Sequence, residues 1–133
     1  MSYAFPIRVY WEDTDAGGIV FYANYLKYME RARTEWLRSL GLNQGELRES
    51  EGGFFVVSET SVRYLQPARL DDELLVTARL EASGRASLII AQQASMKRTG
   101  ALLCEGTIRI GWVDAQHLRP ARIPPIILEA LEQ

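Results

Sequence analysis

The feature that most restricts the fold of this chain is a change of period, in which one stretch of helical spacing is followed by about sixty residues that alternate like strands. Over residues 22–40 the apolar residues Tyr25, Met29, Ala32, Trp36 and Leu40 recur at steps of four and three, with Lys27, Glu30, Arg31, Arg33, Glu35 and Arg38 between them. The spacing predicts one long amphipathic helix, and Gly41 stands where helices commonly end. Leu26 and Leu37 widen the apolar stripe, so the helix is expected to be covered over much of its circumference. Before it, residues 4–11 alternate with Ile7 and Val9 on one side, which predicts a short strand. After a polar connection through Gly52 and Gly53, residues 54–65, 73–81, 85–97 and 101–113 read as strands, with turns at Ser83-Gly84 and Thr99-Gly100. Pro120, Pro124 and Pro125 interrupt this pattern, and residues 126–131 suit a short terminal helix.

One strand, one helix and four strands on short turns predict an α+β fold, an antiparallel five-stranded sheet with its helices on one face. A helix of about nineteen residues spans roughly 28 Å. That is enough to lie along the hollow of a curved sheet and too little to cover both faces. Leu88-Ile89-Ile90-Ala91 and Ala101-Leu102-Leu103-Cys104 carry apolar residues at adjacent positions, so both faces call for cover. Pairing of copies supplies it most economically, and a homodimer or a homotetramer built as a dimer of dimers is expected.

Composition narrows the function classes. With 133 residues, 47% hydrophobic, and a net charge of −2, the chain is expected to fold as one domain over residues 1–133 rather than stay disordered. No apolar run approaches the ~20 residues that a membrane span requires, and the first residues lack the pattern of a signal peptide, so a cytoplasmic location is expected. A single cysteine, Cys104, and a single histidine, His117, rule out an intramolecular disulfide and leave little from which to build a metal site. No metal or cofactor is expected. The acidic pI of about 5.5 and the lack of a basic run argue against a nucleic-acid partner. Of the 15 cationic residues 13 are arginines, which suits phosphate recognition, although a codon bias accounts for the excess equally well.

The stretch Trp11-Glu12-Asp13-Thr14-Asp15-Ala16-Gly17-Gly18-Ile19-Val20-Phe21-Tyr22-Ala23-Asn24-Tyr25 sets three carboxylates and two glycines just ahead of the helix. A first helical turn has amides without intrahelical partners and a partial positive charge, so it can polarise a carbonyl oxygen. A carboxylate beside it can attack that carbonyl or activate a water. The plainer reading is that an aspartate before a helix caps it and a Gly-Gly pair makes a turn. Three carboxylates within four positions repel one another unless some are exposed, which favours a role beyond capping for one of them.

The run from Glu12 to Val20, followed by Tyr22-Ala23-Asn24-Tyr25-Leu26 and Glu30-Arg31-Ala32-Arg33, resembles the signature of the hotdog-fold acyl-CoA thioesterases of the 4-hydroxybenzoyl-CoA thioesterase and YbgC-like group. Tyr64-Leu65-Gln66-Pro67-Ala68-Arg69-Leu70-Asp71-Asp72-Glu73-Leu74 resembles the approach to the third strand of those enzymes. The resemblance covers nearly the whole chain and implies a hotdog fold, a curved antiparallel five-stranded sheet wrapped around one long helix. It also implies an acyl-CoA substrate, or an acyl carrier protein as the alternative carrier, and hydrolysis without a cofactor. By the same resemblance Asp15 is the catalytic carboxylate, as nucleophile or general base, and the backbone N–H at Tyr22 polarises the thioester carbonyl. YbgC-like members commonly carry histidine at the Tyr22 position, whereas 4-hydroxybenzoyl-CoA thioesterases can carry tyrosine. A backbone donor tolerates either, but an imidazole proton shuttle has no counterpart here.

Gly17 and Gly18 are expected to bring backbone close to the substrate. Asn24 is expected to cap the helix or touch the thioester. Glu59, in a polar patch with Ser58, Thr60 and Ser61, is a candidate for the acyl pocket or an outward-facing strand residue. Arg63 and Arg69, with Arg85 and Arg98, are candidates for the coenzyme A phosphates. Glu12 and Asp13 are expected to be solvated or paired with arginines, His117 to lie on the surface, and Cys104, Tyr25, Met29 and Trp36 to pack. Because its only histidine lies outside the motif, the chain fits poorly with a hotdog dehydratase. The alternative from another class is a binding module that holds acyl-CoA or an acyl carrier protein without turning it over.

Overall fold

The computed structural model describes residues 2–132. Five strands, β1 (Ser2–Arg8), β2 (Gly53–Tyr64), β3 (Glu73–Ser83), β4 (Ser87–Met96) and β5 (Leu102–Asp114), form one antiparallel sheet in the order β1-β3-β4-β5-β2. Helices α1 (Asn24–Ser39), α2 (Gln44–Glu51) and α3 (Pro125–Leu131) complete the fold, and the core forms between them and the sheet. The strands predicted from alternation are all present, with ends moved by a few residues. Trp11 lies outside β1, in a single 3-10 turn, Trp11–Asp13.

The stripe on α1 faces the sheet as its spacing predicts. Tyr25, Met29, Ala32 and Trp36 are buried, and Tyr28 and Leu37 join them, while Leu26 is turned outward. On the sheet, Leu74, Val76 and Ala78 of β3, Leu88 and Ile90 of β4, and Ile108 and Ile110 of β5 meet this stripe in one continuous cluster. Gln92 is the polar exception. Its amide is 1% exposed and donates to the Met29 and Thr77 carbonyls at 3.0 and 3.1 Å, while its oxygen accepts from Arg33 at 2.9 Å. Every polar group of that side chain is therefore used in fastening α1 to β3 and β4. Burial holds the Arg33 guanidinium below its ordinary pKa.

Gly41 ends α1 with a positive φ of 83°. The Gly41 amide donates to the Arg38 carbonyl and the Leu42 amide to the Leu37 carbonyl, at 3.0 and 2.9 Å. This paired closure needs a left-handed residue, which glycine adopts without a Cβ penalty. The polar connection expected after Gly41 contains the helix α2. Its start is capped by the Asn43 side chain, which accepts from the Glu46 amide at 3.1 Å, and only Leu47 anchors it in the core. One buried side chain in eight residues leaves no periodic signal to read.

Candidate active site

The residues between the 3-10 turn and α1 form a miniature hairpin. Thr14 bridges Val20, the Asp15 amide donates to the Ile19 carbonyl at 2.9 Å, and the Phe21 amide donates to the Asp13 carbonyl at 2.9 Å. Its tip is the turn from Asp15 to Gly18, closed by the Gly18 amide on the Asp15 carbonyl at 3.0 Å. Gly18 sits at φ 81°, a conformation open to glycine and costly for most side chains. The returning leg is braced from outside, because the Val20 amide donates to the Ala68 carbonyl at 2.9 Å and Ile19 bridges Arg69. The segment after β2 thus holds the hairpin in place.

Asp15 is exposed on this tip, and one of its oxygens, Oδ1, accepts from the Gly17 amide at 2.8 Å. Its other oxygen, Oδ2, has no hydrogen-bond partner among the described residues. Beyond the hairpin the chain turns directly into α1, with the Asn24 amide donating to the Phe21 carbonyl at 2.8 Å. Among the described residues the amides of Tyr22 and Ala23 donate to no backbone acceptor, and no side chain caps them. They are the orphan donors that a helix start leaves available.

A cleft of about 300 Å³ opens at this helix start, lined by Ile19, Val20, Tyr22, Tyr25, Tyr64, Leu65, Gln66 and Pro67. Its walls are mainly aromatic and aliphatic. Tyr64 presents its ring at 6.1 Å from Tyr22, edge to face, and at 5.8 Å from Tyr25. Burial pushes the Tyr25 hydroxyl up to about 12 and raises that of Tyr64 as well, with Cys104 adding to both shifts. Both phenols are therefore neutral hydrogen-bonding groups in the neutral range. A cleft of about 530 Å³ lies elsewhere, on the outer face of the sheet among polar residues, and contains no residue of the stretch 11–25. The smaller cleft is lined in part by Tyr22, whose amide is one of the two without a backbone acceptor.

The sequence candidates divide between these places. Asp15, Gly17, Gly18, Tyr22 and Arg69 gather around the hairpin, with Arg69 exposed and its amide donating to Asp72 at 2.8 Å. Arg63 faces the outer cleft and pairs with Glu105 at 3.5 Å. Glu59 is exposed on β2 opposite Arg109, beside a register shift after Val57. Asn24 does not cap α1. It is 6% exposed, and its amide nitrogen donates to Asp13 Oδ1 at 2.8 Å.

Asp13 corrects the expectation of a solvated carboxylate. It is 5% exposed, because its oxygens are taken up by the Asn24 amide and by the Tyr10 backbone N–H, the latter at 2.8 Å. Beneath it the Tyr28 hydroxyl is buried without a well-aligned partner, and burial followed by the neighbouring Asp13 raises its pKa. Tyr64 was legible only as part of a motif, since an exposed tyrosine at a strand end carries no sign of what it faces.

Comparisons with known proteins bear on the family and the fold. Residues 9–131 match the model of the thioesterase-like superfamily. The chain is 38% identical over 123 residues to the acyl-CoA thioesterase YbgC of Haemophilus influenzae, a match covering 92% of this chain and 89% of that protein. A probable thioesterase from Bartonella henselae superposes with a TM-score of 0.88 at 31% identity, covering 93% of this chain and 100% of that one. A 1,4-dihydroxy-2-naphthoyl-CoA thioesterase from Synechocystis, at 20% identity and a TM-score of 0.92 over 100% of this chain and 97% of that one, shares the fold. The sheet order, the long helix seated on the sheet and the matched residues together place this chain in the thioesterase-like superfamily, in its YbgC-like group and with its hotdog fold.

Proposed function

We propose that the chain hydrolyses acyl-CoA thioesters to a free acid and coenzyme A, with Asp15 as the catalytic carboxylate and the Tyr22 amide as the donor to the carbonyl oxygen. The observation that carries this reading is the hairpin, which sets an exposed carboxylate with one uncommitted oxygen on the segment leading into unpartnered amides at a helix start. The YbgC relatives, which carry the name of acyl-CoA thioesterase, support the same substrate class.

Two routes use these groups. In the first, Asp15 Oδ2 attacks the thioester carbon, the C–S bond breaks, and coenzyme A leaves as a thiolate that takes a proton from water. Water then opens the mixed anhydride and returns the carboxylate. In the second, Asp15 accepts a proton from the attacking water and passes it to the departing thiolate. In both, charge builds on the carbonyl oxygen, where a fixed amide and the positive end of α1 stabilise it.

Asp15→Asn tests both routes. It is expected to lower kcat by on the order of 10² to 10⁴, as removal of a general base or nucleophile does, while circular dichroism remains unchanged. Release of free thiol would be followed over aliphatic and aromatic acyl-CoAs and an acylated carrier protein. A folded Asp15→Asn variant with wild-type turnover overturns the reading. Single turnover in heavy-oxygen water separates the routes, since label enters Asp15 in the nucleophilic one only.

The same reading takes paired copies of the chain as the working unit, in the cytoplasm. Strand β2 is an edge strand of 12 residues whose outer side has no neighbour among the described residues, and Val56 and Val57 on it are exposed. Phe21, Tyr22, Leu26, Tyr64 and Leu65 are also exposed, several of them around the cleft. An apolar rim and an open edge of this length are features that a second copy would cover.

A further inference from the structure

Asp13 is the one buried carboxylate among the described residues, and neither route above uses it. A carboxylate taken out of water is retained only where donors compensate it, so its partners indicate what it holds. The partners come from both ends of the loop. Oδ2 accepts the Tyr10 amide at 2.8 Å, two residues past the end of β1, and Oδ1 accepts the Asn24 side chain at 2.8 Å, in the first residue of α1. The Asp13 amide returns to the Tyr10 carbonyl at 3.0 Å, and its own carbonyl receives the Phe21 amide at 2.9 Å. All four polar groups of one residue are thus spent on joining the base of the hairpin to the segment before it and to the start of α1. The tip that bears Asp15 begins two residues further on, and Tyr22 lies between the Phe21 and Asn24 contacts.

We infer that Asp13 is a positioning residue, which clamps the base of the hairpin to the start of α1 and so sets the Asp15 carboxylate and the Tyr22 amide in mutual register. The inference rests on the roles proposed for those two groups. Asp13 itself reaches no reacting atom. Its carbonyl contact would survive a side-chain substitution, whereas the tether to α1 would not. The hairpin would then keep its pairing and lose its fixed angle to the helix. Misplacement of about 1 Å at a reacting group costs on the order of 100-fold in rate, and it falls on turnover rather than on binding.

The test compares Asp13→Ala, Asp13→Asn, Asn24→Ala and Asp15→Asn in the full chain, with kcat and KM measured separately on one acyl-CoA. Asp13→Ala is expected to lower kcat by about 30- to 100-fold with KM within about 3-fold. Asn24→Ala, which keeps the carboxylate and removes its tether, is expected to show the same split. Asp13→Asn should recover most of the turnover, because its amide oxygen can accept from Tyr10 while its nitrogen donates to a flipped Asn24. Unchanged kcat in Asp13→Ala overturns the inference, and so does a raised KM with normal kcat in either alanine variant. Loss in Asp13→Asn equal to that in Asp13→Ala also overturns it, since the charge itself would then be required. Should Asp13→Ala not fold, Asn24→Ala decides, and wild-type turnover there overturns the proposal. Activity in Asp15→Asn removes the catalytic reading and the inference with it. An inactive Asp15→Asn beside an unimpaired Asp13→Ala removes the inference alone.

Discussion

At Tyr22 the side chain and the backbone amide can be tested separately. The ring is 63% exposed and leans on Phe21 and Tyr64 at centroid distances of 4.8 and 6.1 Å, while the amide is the proposed oxyanion donor. Two substitutions separate them. Tyr22→Phe retains the ring and the amide and is expected to keep kcat within about 3-fold, because a phenol largely in solvent contributes little. Tyr22→Pro deletes the donor at a position next to a helix start, where proline is tolerated, and is expected to cost on the order of 10² to 10³ in kcat. Steady-state thiol release measures both, and a Tyr22→Pro variant with normal turnover would show that this amide is not used. At the same scale, Asp13 and Asp15 are two residues apart and have opposite surroundings. The chain sets one carboxylate inward against two donors and the other outward on a turn. Nothing in the string Glu-Asp-Thr-Asp distinguishes them, because burial depends on where Asn24 and Tyr28 arrive in space.

Among the elements, β2 and β5 form the longest pairing, and their contact is tight at Gly106. A Cβ there would collide with the backbone carbonyl of Ser61 and crowd Val62, and neither is the free end of a flexible side chain. Gly106→Ala is therefore expected to destabilise the fold by about 1–3 kcal/mol through overpacking. Denaturant melts would register this as a lower midpoint at unchanged slope, and an unaltered midpoint would show that the strands part at no cost. Elements were legible in the sequence where a period repeated. Helix α1 has four buried positions at the expected steps, and β3 buries Leu74, Val76 and Ala78 in strict alternation. Helix α2 escaped because its start and end depend on caps at Asn43 and Gly52 rather than on an apolar stripe. In β2 the shift after Val57 breaks the alternation, so the two halves of that strand do not share one face as a single period implies.

For the whole molecule, the helices occupy one face of the sheet, and the opposite face keeps half-buried apolar residues such as Ile89 and Ala91. Together with the open β2 edge and the exposed aromatic rim, this leads to a prediction about mass. Light scattering at micromolar concentration should report about 30 kDa, twice the chain's 15.1 kDa, or a multiple of it. A mass of 15.1 kDa under those conditions would remove the paired unit from the proposed function. By itself the sequence determined the order of the strands, the long helix with its buried stripe and the terminal helix, and it marked the stretch 11–25 as the candidate for chemistry, because periodicity and local turn chemistry act over a few residues. Only the tertiary structure decided that Asp13 is buried and Asp15 exposed, that Arg63 lies across the sheet from the hairpin, and that Tyr64 closes on Tyr22. These are contacts between segments far apart in the chain, and they are settled by how the sheet brings those segments together.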